Sequence, residues 1–96
     1  MKPSTLLGVH QDTIRHVVKS HHARNARVFG SVVRGEDTDA SDLEILIDPI
    51  PDTTLFDIGA IRAELLKLLG IPVNVVTPNA LPENFRSSVI EEAKPI

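Results

Sequence analysis

"GSVVRGEDTDASDLEILID", residues 30–48, decides how the rest of the chain is read. It joins a Gly-Ser pair to a polar, acidic loop. It then sets two carboxylates, Asp42 and Glu44, at the mouth of an apolar run. "DLEILID" alternates as a strand does: Leu43, Ile45 and Ile47 fall on one face, Asp42, Glu44, Leu46 and Asp48 on the other. Acids on a sheet face must be hydrated, paired or bound to a cation. Residues i and i+2 of a strand point the same way, roughly 7 Å apart along the backbone, so their side chains can converge on one divalent ion. On a helix the same two side chains would diverge. Hard oxygen ligands with room for water suit Mg²⁺ or Mn²⁺. An acid-x-acid pair is common, and by itself it reads as a solvated strand edge.

The residues upstream change that balance. "ARVFG" reads as a short strand ending at Gly30, and "SVVRG" as one helical turn stopped by Gly35. Glycine lets a phosphate approach the backbone, and the N–H groups of the turn and the Ser31 hydroxyl can bind its oxygens. Arg34 adds a cation on the same side. Ten residues separate Ser31 from Asp42. A seat for an anion on one strand and a grip for a cation on the next are what a metal–nucleotide complex requires.

Further out, Ile14, Val17 and Val18 give a narrow apolar stripe, which predicts a helix over residues 11–22. After "PIPD", Thr54 and Asp57 stand at the spacing of a capping box. Leu55, Ile58, Ile61, Leu65, Leu68 and Leu69 then make one apolar helix face, up to a stop at Gly70. "VNVV" (73–76) is a third strand, and Pro82 opens a last helix carrying Phe85, Val89 and Ile90. The expected order is helix, strand, helical turn, strand, long helix, strand, helix. The fold class is therefore α/β: a short three-stranded sheet, with room for a fourth strand, and long helices packed on one face.

A chain of 96 residues is expected to form a single domain, residues 1–96. With 3% aromatic residues and neither Trp nor Tyr, the core must be aliphatic. The absence of cysteine excludes disulfides and thiolate metal sites and points to a reducing, cytoplasmic setting. No apolar stretch approaches the ~20 residues that span a bilayer, and "MKPSTLLGVHQ" is too short and polar for a secretion signal. A net charge of −3 with no dense basic block argues against direct nucleic-acid binding.

"FGSVVRGEDTDASDLEILID", together with "VNVVTPNAL" and the long helix between them, resembles the minimal nucleotidyltransferases, small members of the DNA polymerase beta-type superfamily. The likeness runs from about Ala26 to the C-terminus. It implies a short mixed sheet backed by helices, with ATP or another nucleoside triphosphate as donor and Mg²⁺ as metal. Gly30 and Ser31 would hold the triphosphate, and Asp42 and Glu44 would ligate metal. A third acid on the later strand would position and deprotonate the attacking hydroxyl. Many members act as antitoxins beside a HEPN-type partner, and some transfer AMP to a tyrosine of that partner.

Two positions depart from the family pattern. Glu44 stands where Asp is frequent, which moves the carboxylate outward by one methylene. Asn74 stands in place of the third acid, "VNVVTP" for the family's "VDVVTP". Asparagine keeps an acceptor oxygen but cannot act as a general base. The catalytic set read from the sequence is Asp42, Glu44 and Asn74, with Gly30, Ser31 and Arg34 for the nucleotide. Two functions follow: an adenylyl-transferring antitoxin slowed at Asn74, or a degenerate domain that neutralises its partner by binding alone. The remaining polar residues are expected to be solvated: His10, His16, His21 and His22, the loop acids Glu36, Asp37 and Asp39, and the cations Arg62, Lys67 and Arg86. Arg62 is within reach of Glu64, and Asp48 is read as a turn residue.

Overall fold

A computed structural model describes residues 1–96. The expected elements are present: α1 (Pro3–Ser20), β1 (Ala23–Phe29), α2 (Ser31–Arg34), β2 (Leu43–Pro49), α3 (Leu55–Leu69), β3 (Val73–Val76) and α4 (Glu83–Glu92). A two-residue fourth strand, β4 (Lys94–Pro95), completes a sheet of order β3-β2-β1-β4. β1 runs antiparallel to β2 and to β4, whereas β2 and β3 are parallel, so the sheet is mixed.

β2 is the centre of the molecule. Leu43, Ile45 and Ile47 are fully buried against Ile14, Val18, Ile61 and Leu65, which places α1 and α3 on one face of the sheet. Burying each of these side chains contributes about 2 kcal/mol. Leu46 points to the opposite face with the acids, yet it too is fully buried. Phe29 and Leu81 cover it, and Val89 and Ala93 at the end of α4 pack on that cluster. The second face is thus closed under α4 and open only at its Asp42/Glu44 end.

α3 begins with the full capping box: the Thr54 hydroxyl accepts from the Asp57 N–H, and the Asp57 carboxylate accepts from the Thr54 N–H. Its buried stripe is Ile61, Leu65 and Leu69, with Ile58 half-buried. Leu55 is 85% exposed and Leu68 37%, contrary to the expected face. At ~100° per residue each falls about 65–75° from the centre of the stripe. Phe85 and Ile90 on α4 are likewise exposed.

Other expectations need correction. α1 starts eight residues early, at Pro3, and carries a kink at His10; Pro3 and Leu7 are buried. The loop acid Asp37 is buried, not solvated: its carboxylate accepts the N–H of Ser4 at 2.9 Å and so caps α1 from a distance in sequence. Arg62 does not pair with Glu64; it donates to the Val73 carbonyl at 3.1 Å, and Glu64 meets His21 at 2.9 Å. His22 pairs with Asp57 at 3.2 Å, and half-buried Arg86 donates to the carbonyls of Pro78 and Leu81. Asp48 is bound on the strand by Asn25 and Arg27, beside the bulge that Asn25 makes in β1 with φ +55°.

The Ser4 backbone N–H, then its hydroxyl, hold the Asp37 carboxyl below the usual aspartate range. Because the folded-state value is depressed, this contribution to stability is full above the ordinary value of about 3.9. It is lost as the pH falls through the lower folded-state value. Asp37→Ala should cost about 1 kcal/mol, read as a lower urea midpoint with unchanged slope at pH 7. The gap between variant and wild type should close in acid.

Candidate active site

The site forms where β1 ends. Gly30 has φ +81° and turns the chain from the strand into α2, and Gly35 at φ +71° ends that helix in the left-handed region. Phe29 pairs with Glu44 across the β1–β2 ladder, so Gly30 lies directly against the Glu44 side chain. A Cβ at Gly30 would sit 3.1 Å from Glu44 Cγ. Any other residue would be strained by its φ and would push on the carboxylate that the sequence assigns to metal.

On the other side, β2 and β3 pair in register at Glu44 and Asn74. The Asn74 amide nitrogen donates to Glu44 Oε1 at 2.9 Å and to Asp42 Oδ2 at 3.4 Å. One donor therefore touches both acids, which confirms that their side chains converge as strand geometry requires. The amide does here, without charge, part of what a cation would do. Asn74 reaches the cleft only through these two acids and does not itself line it.

Gly30, Ser31, Arg34, Asp42 and Glu44 all line one cleft of about 590 Å³, with Ala40 and Ser41 at its rim. The rim is ordered by its own bonds: Thr38 N–H donates to Ser41 Oγ at 2.8 Å, and Ala40 N–H to Thr38 Oγ1 at 3.2 Å. Phe29 and Val89 supply the apolar wall. Nothing local in the sequence marked these two, because they meet across the second face of the sheet.

The residue that sequence reasoning missed is Glu92, at the end of α4. It lines the cleft and accepts from the Gly30 N–H at 3.3 Å and from Arg34 Nη1 at 2.7 Å. Arg34 also donates to Glu36 at 2.6 Å, so Glu36 is paired and not merely solvated. Its hydrogen bonds to these two carboxylates, to Glu36 first, raise the Arg34 pKa. The neighbourhood therefore carries four carboxylates against one guanidinium. A polyphosphate can enter it only with a cation.

No cluster of three or more His, Cys, Asp or Glu side chains is arranged to hold a metal. The donor set is the two carboxylates, joined by the Asn74 amide. It fits Mg²⁺, which keeps several waters and is commonly held by one or two carboxylates plus substrate phosphates.

A family profile described as "Nucleotidyltransferase domain" matches residues 12–96. The chain belongs to the nucleotidyltransferase family. Membership implies a nucleoside triphosphate substrate and, as a rule, a divalent metal. This nucleotidyltransferase is 31% identical over 88 residues to the protein adenylyltransferase MntA of Thermococcus cleftensis, which covers 92% of this chain and 86% of the relative. It is 30% identical over 77 residues to a Methanocaldococcus jannaschii protein that bears the name of a protein adenylyltransferase, covering 80% and 83% of the two chains. Among solved structures, one described as a minimal nucleotidyltransferase superposes with TM-score 0.86 at 33% identity, over 97% of this chain and 95% of the other. A toxin–antitoxin crystallised with AMP-PNP shares the fold at TM-score 0.74 and 16% identity, over 88% of this chain and 70% of the other. The resemblance read from the Gly-Ser and acid-x-acid motifs and the mixed α/β fold it implied are thus both met. No helix is long and apolar enough to cross a membrane.

Proposed function

We propose that this nucleotidyltransferase is an antitoxin that transfers AMP from ATP to a hydroxyl of a partner toxin. The hydroxyl is that of a tyrosine, and the toxin is of the HEPN type. One observation carries the proposal: Gly30, at the phosphate-type turn, lies against Glu44, and both open into the same cleft with Ser31 and Asp42. The adenylyltransferase names of its relatives support the choice of AMP. The toxin–antitoxin that shares its fold supports the choice of acceptor.

In this reading the backbone of Gly30 and Ser31 and the guanidinium of Arg34 bind and orient the triphosphate. Asp42 and Glu44 hold Mg²⁺, which when bound neutralises charge on the phosphates and leaving group. The acceptor oxygen forms a bond to the α-phosphorus, the bond from that phosphorus to the bridging oxygen of the β-phosphate breaks, and pyrophosphate leaves. The hydroxyl proton has no base at position 74, since an amide cannot take it. It passes to water or to one of the two carboxylates. Losing a positioned base costs about 10²–10⁴ in rate, so transfer is slow.

Asn74 favours a second reading, in which the domain neutralises its partner by binding and no longer transfers. The two are separated by incubating protein, toxin, ATP and Mg²⁺ and weighing the toxin by mass spectrometry. A gain of one AMP supports the transferase. Neutralisation with an unchanged mass supports the binder. The chain contains no tyrosine, so a labelled tyrosine must belong to the partner.

A further inference from the structure

We propose that Glu92 is a built-in occupant of the phosphate seat, and that α4 with β4 is a latch the incoming nucleotide must open. The proposal rests on the cleft being a triphosphate site. The two oxygens of the Glu92 carboxylate are shared between the Gly30 N–H at 3.3 Å and Arg34 Nη1 at 2.7 Å. A backbone N–H and a guanidinium are the donors a phosphate group would take. A phosphate taking the Gly30 N–H would meet the Glu92 carboxylate already seated there, anion against anion, so the carboxylate must move for it to bind.

The element that carries Glu92 is lightly held. α4 contains no buried residue; Val89 and the following Ala93 rest on the Phe29/Leu46/Leu81 cluster, and Arg86 ties the start of the helix to the Pro78 and Leu81 carbonyls, so its far end, with Glu92, is the lightly held part. Beyond it, β4 pairs with β1 only at Arg27 and Val28, and the Ile96 N–H donates to the Ala26 carbonyl at 3.0 Å. Segments with few buried contacts open at low free-energy cost. Closing the latch also closes the second face over Phe29 and Leu46, so nucleotide entry and exposure of that apolar cluster are coupled.

Glu92 is a poor candidate for the missing base. Its hydrogen bonds come from Gly30 and Arg34, and none joins it to Asp42, Glu44 or Asn74. A site competent only when open binds with an affinity reduced by the open fraction.

The test is binding of a non-hydrolysable ATP analogue with Mg²⁺ by calorimetry, for wild type, Glu92→Gln and Glu92→Ala. Glu36→Gln serves as a control that removes the other carboxylate on Arg34. Hydrogen exchange over residues 83–96 of the wild type, with and without the analogue, accompanies it. The expected result is about tenfold tighter binding in both Glu92 variants, little change in Glu36→Gln, and loss of protection over 83–96 when the wild type binds. Equal or weaker binding by the Glu92 variants overturns the latch. So does tighter binding with protection over 83–96 unchanged or increased, since that pattern is charge removal alone. Should the Glu92 variants fail to fold, the wild-type exchange result decides. If no protein binds the analogue, the triphosphate reading of the cleft falls, and the latch falls with it.

Discussion

A chain carrying both Asp42→Asn and Glu44→Gln is expected to keep its fold and lose nucleotidyl transfer by about a thousandfold or more. Removing one preorganised electrostatic group commonly costs 10²–10³ in rate, and here both carboxylates assigned to the metal are lost. The substitutions are close in size to the originals, and amide oxygens can still accept from the Asn74 amide, which now touches each acid at 2.9 and 3.4 Å. The melting temperature without metal should therefore hold or rise slightly, because two neighbouring negative charges have been removed. The decisive comparison is ligand-dependent. Mg²⁺ with ATP should raise the melting temperature of the wild type, as any ligand of the native state must, and should leave the variant unmoved. An equal shift in both would place the metal elsewhere.

Asn74→Asp is expected to raise transfer by about 10²-fold, the lower end of what a positioned base contributes. The physical cost is visible beforehand. Asn74 now ties Asp42 and Glu44 together through N–H donors, and a third carboxylate at that distance would repel both. The variant should melt lower than wild type without metal and gain more from Mg²⁺. A higher rate together with a larger Mg²⁺-dependent rise in melting temperature would assign Asn74 to the reaction. Unaltered activity and unaltered metal response would make it a strand residue with no part in transfer.

Much of this arrangement was legible in the sequence because it is local. The alternation of "DLEILID" set the core face of β2 and turned Asp42 and Glu44 the same way. Thr54 and Asp57 announced the start of α3, and Gly30, Gly35 and Gly70 are the left-handed turns that end or redirect elements. What stayed hidden is made by partners distant along the chain. Asp37 looks like one of several loop acids until Ser4 is folded onto it. Glu92 is one of two acids in the polar end of the last helix, and only the path of α4 across the second face brings it to Gly30 and Arg34. Leu46 was assigned to the face of the acids, which is right, but its burial depends on Leu81 and α4. The early turns of α1 were masked by Gly8 and by His10 and Gln11, polar residues at the positions where the apolar stripe from Leu7 would continue towards Ile14.

The most direct measurement is a crystal structure of the chain with Mg²⁺ and a non-hydrolysable ATP analogue. The triphosphate is expected against the backbone of Gly30 and Ser31, with the metal held between Asp42 and Glu44 and the Glu92 carboxylate displaced from Arg34. A nucleotide bound outside this cleft, or a metal that leaves Asp42 and Glu44 without contact, would contradict the account.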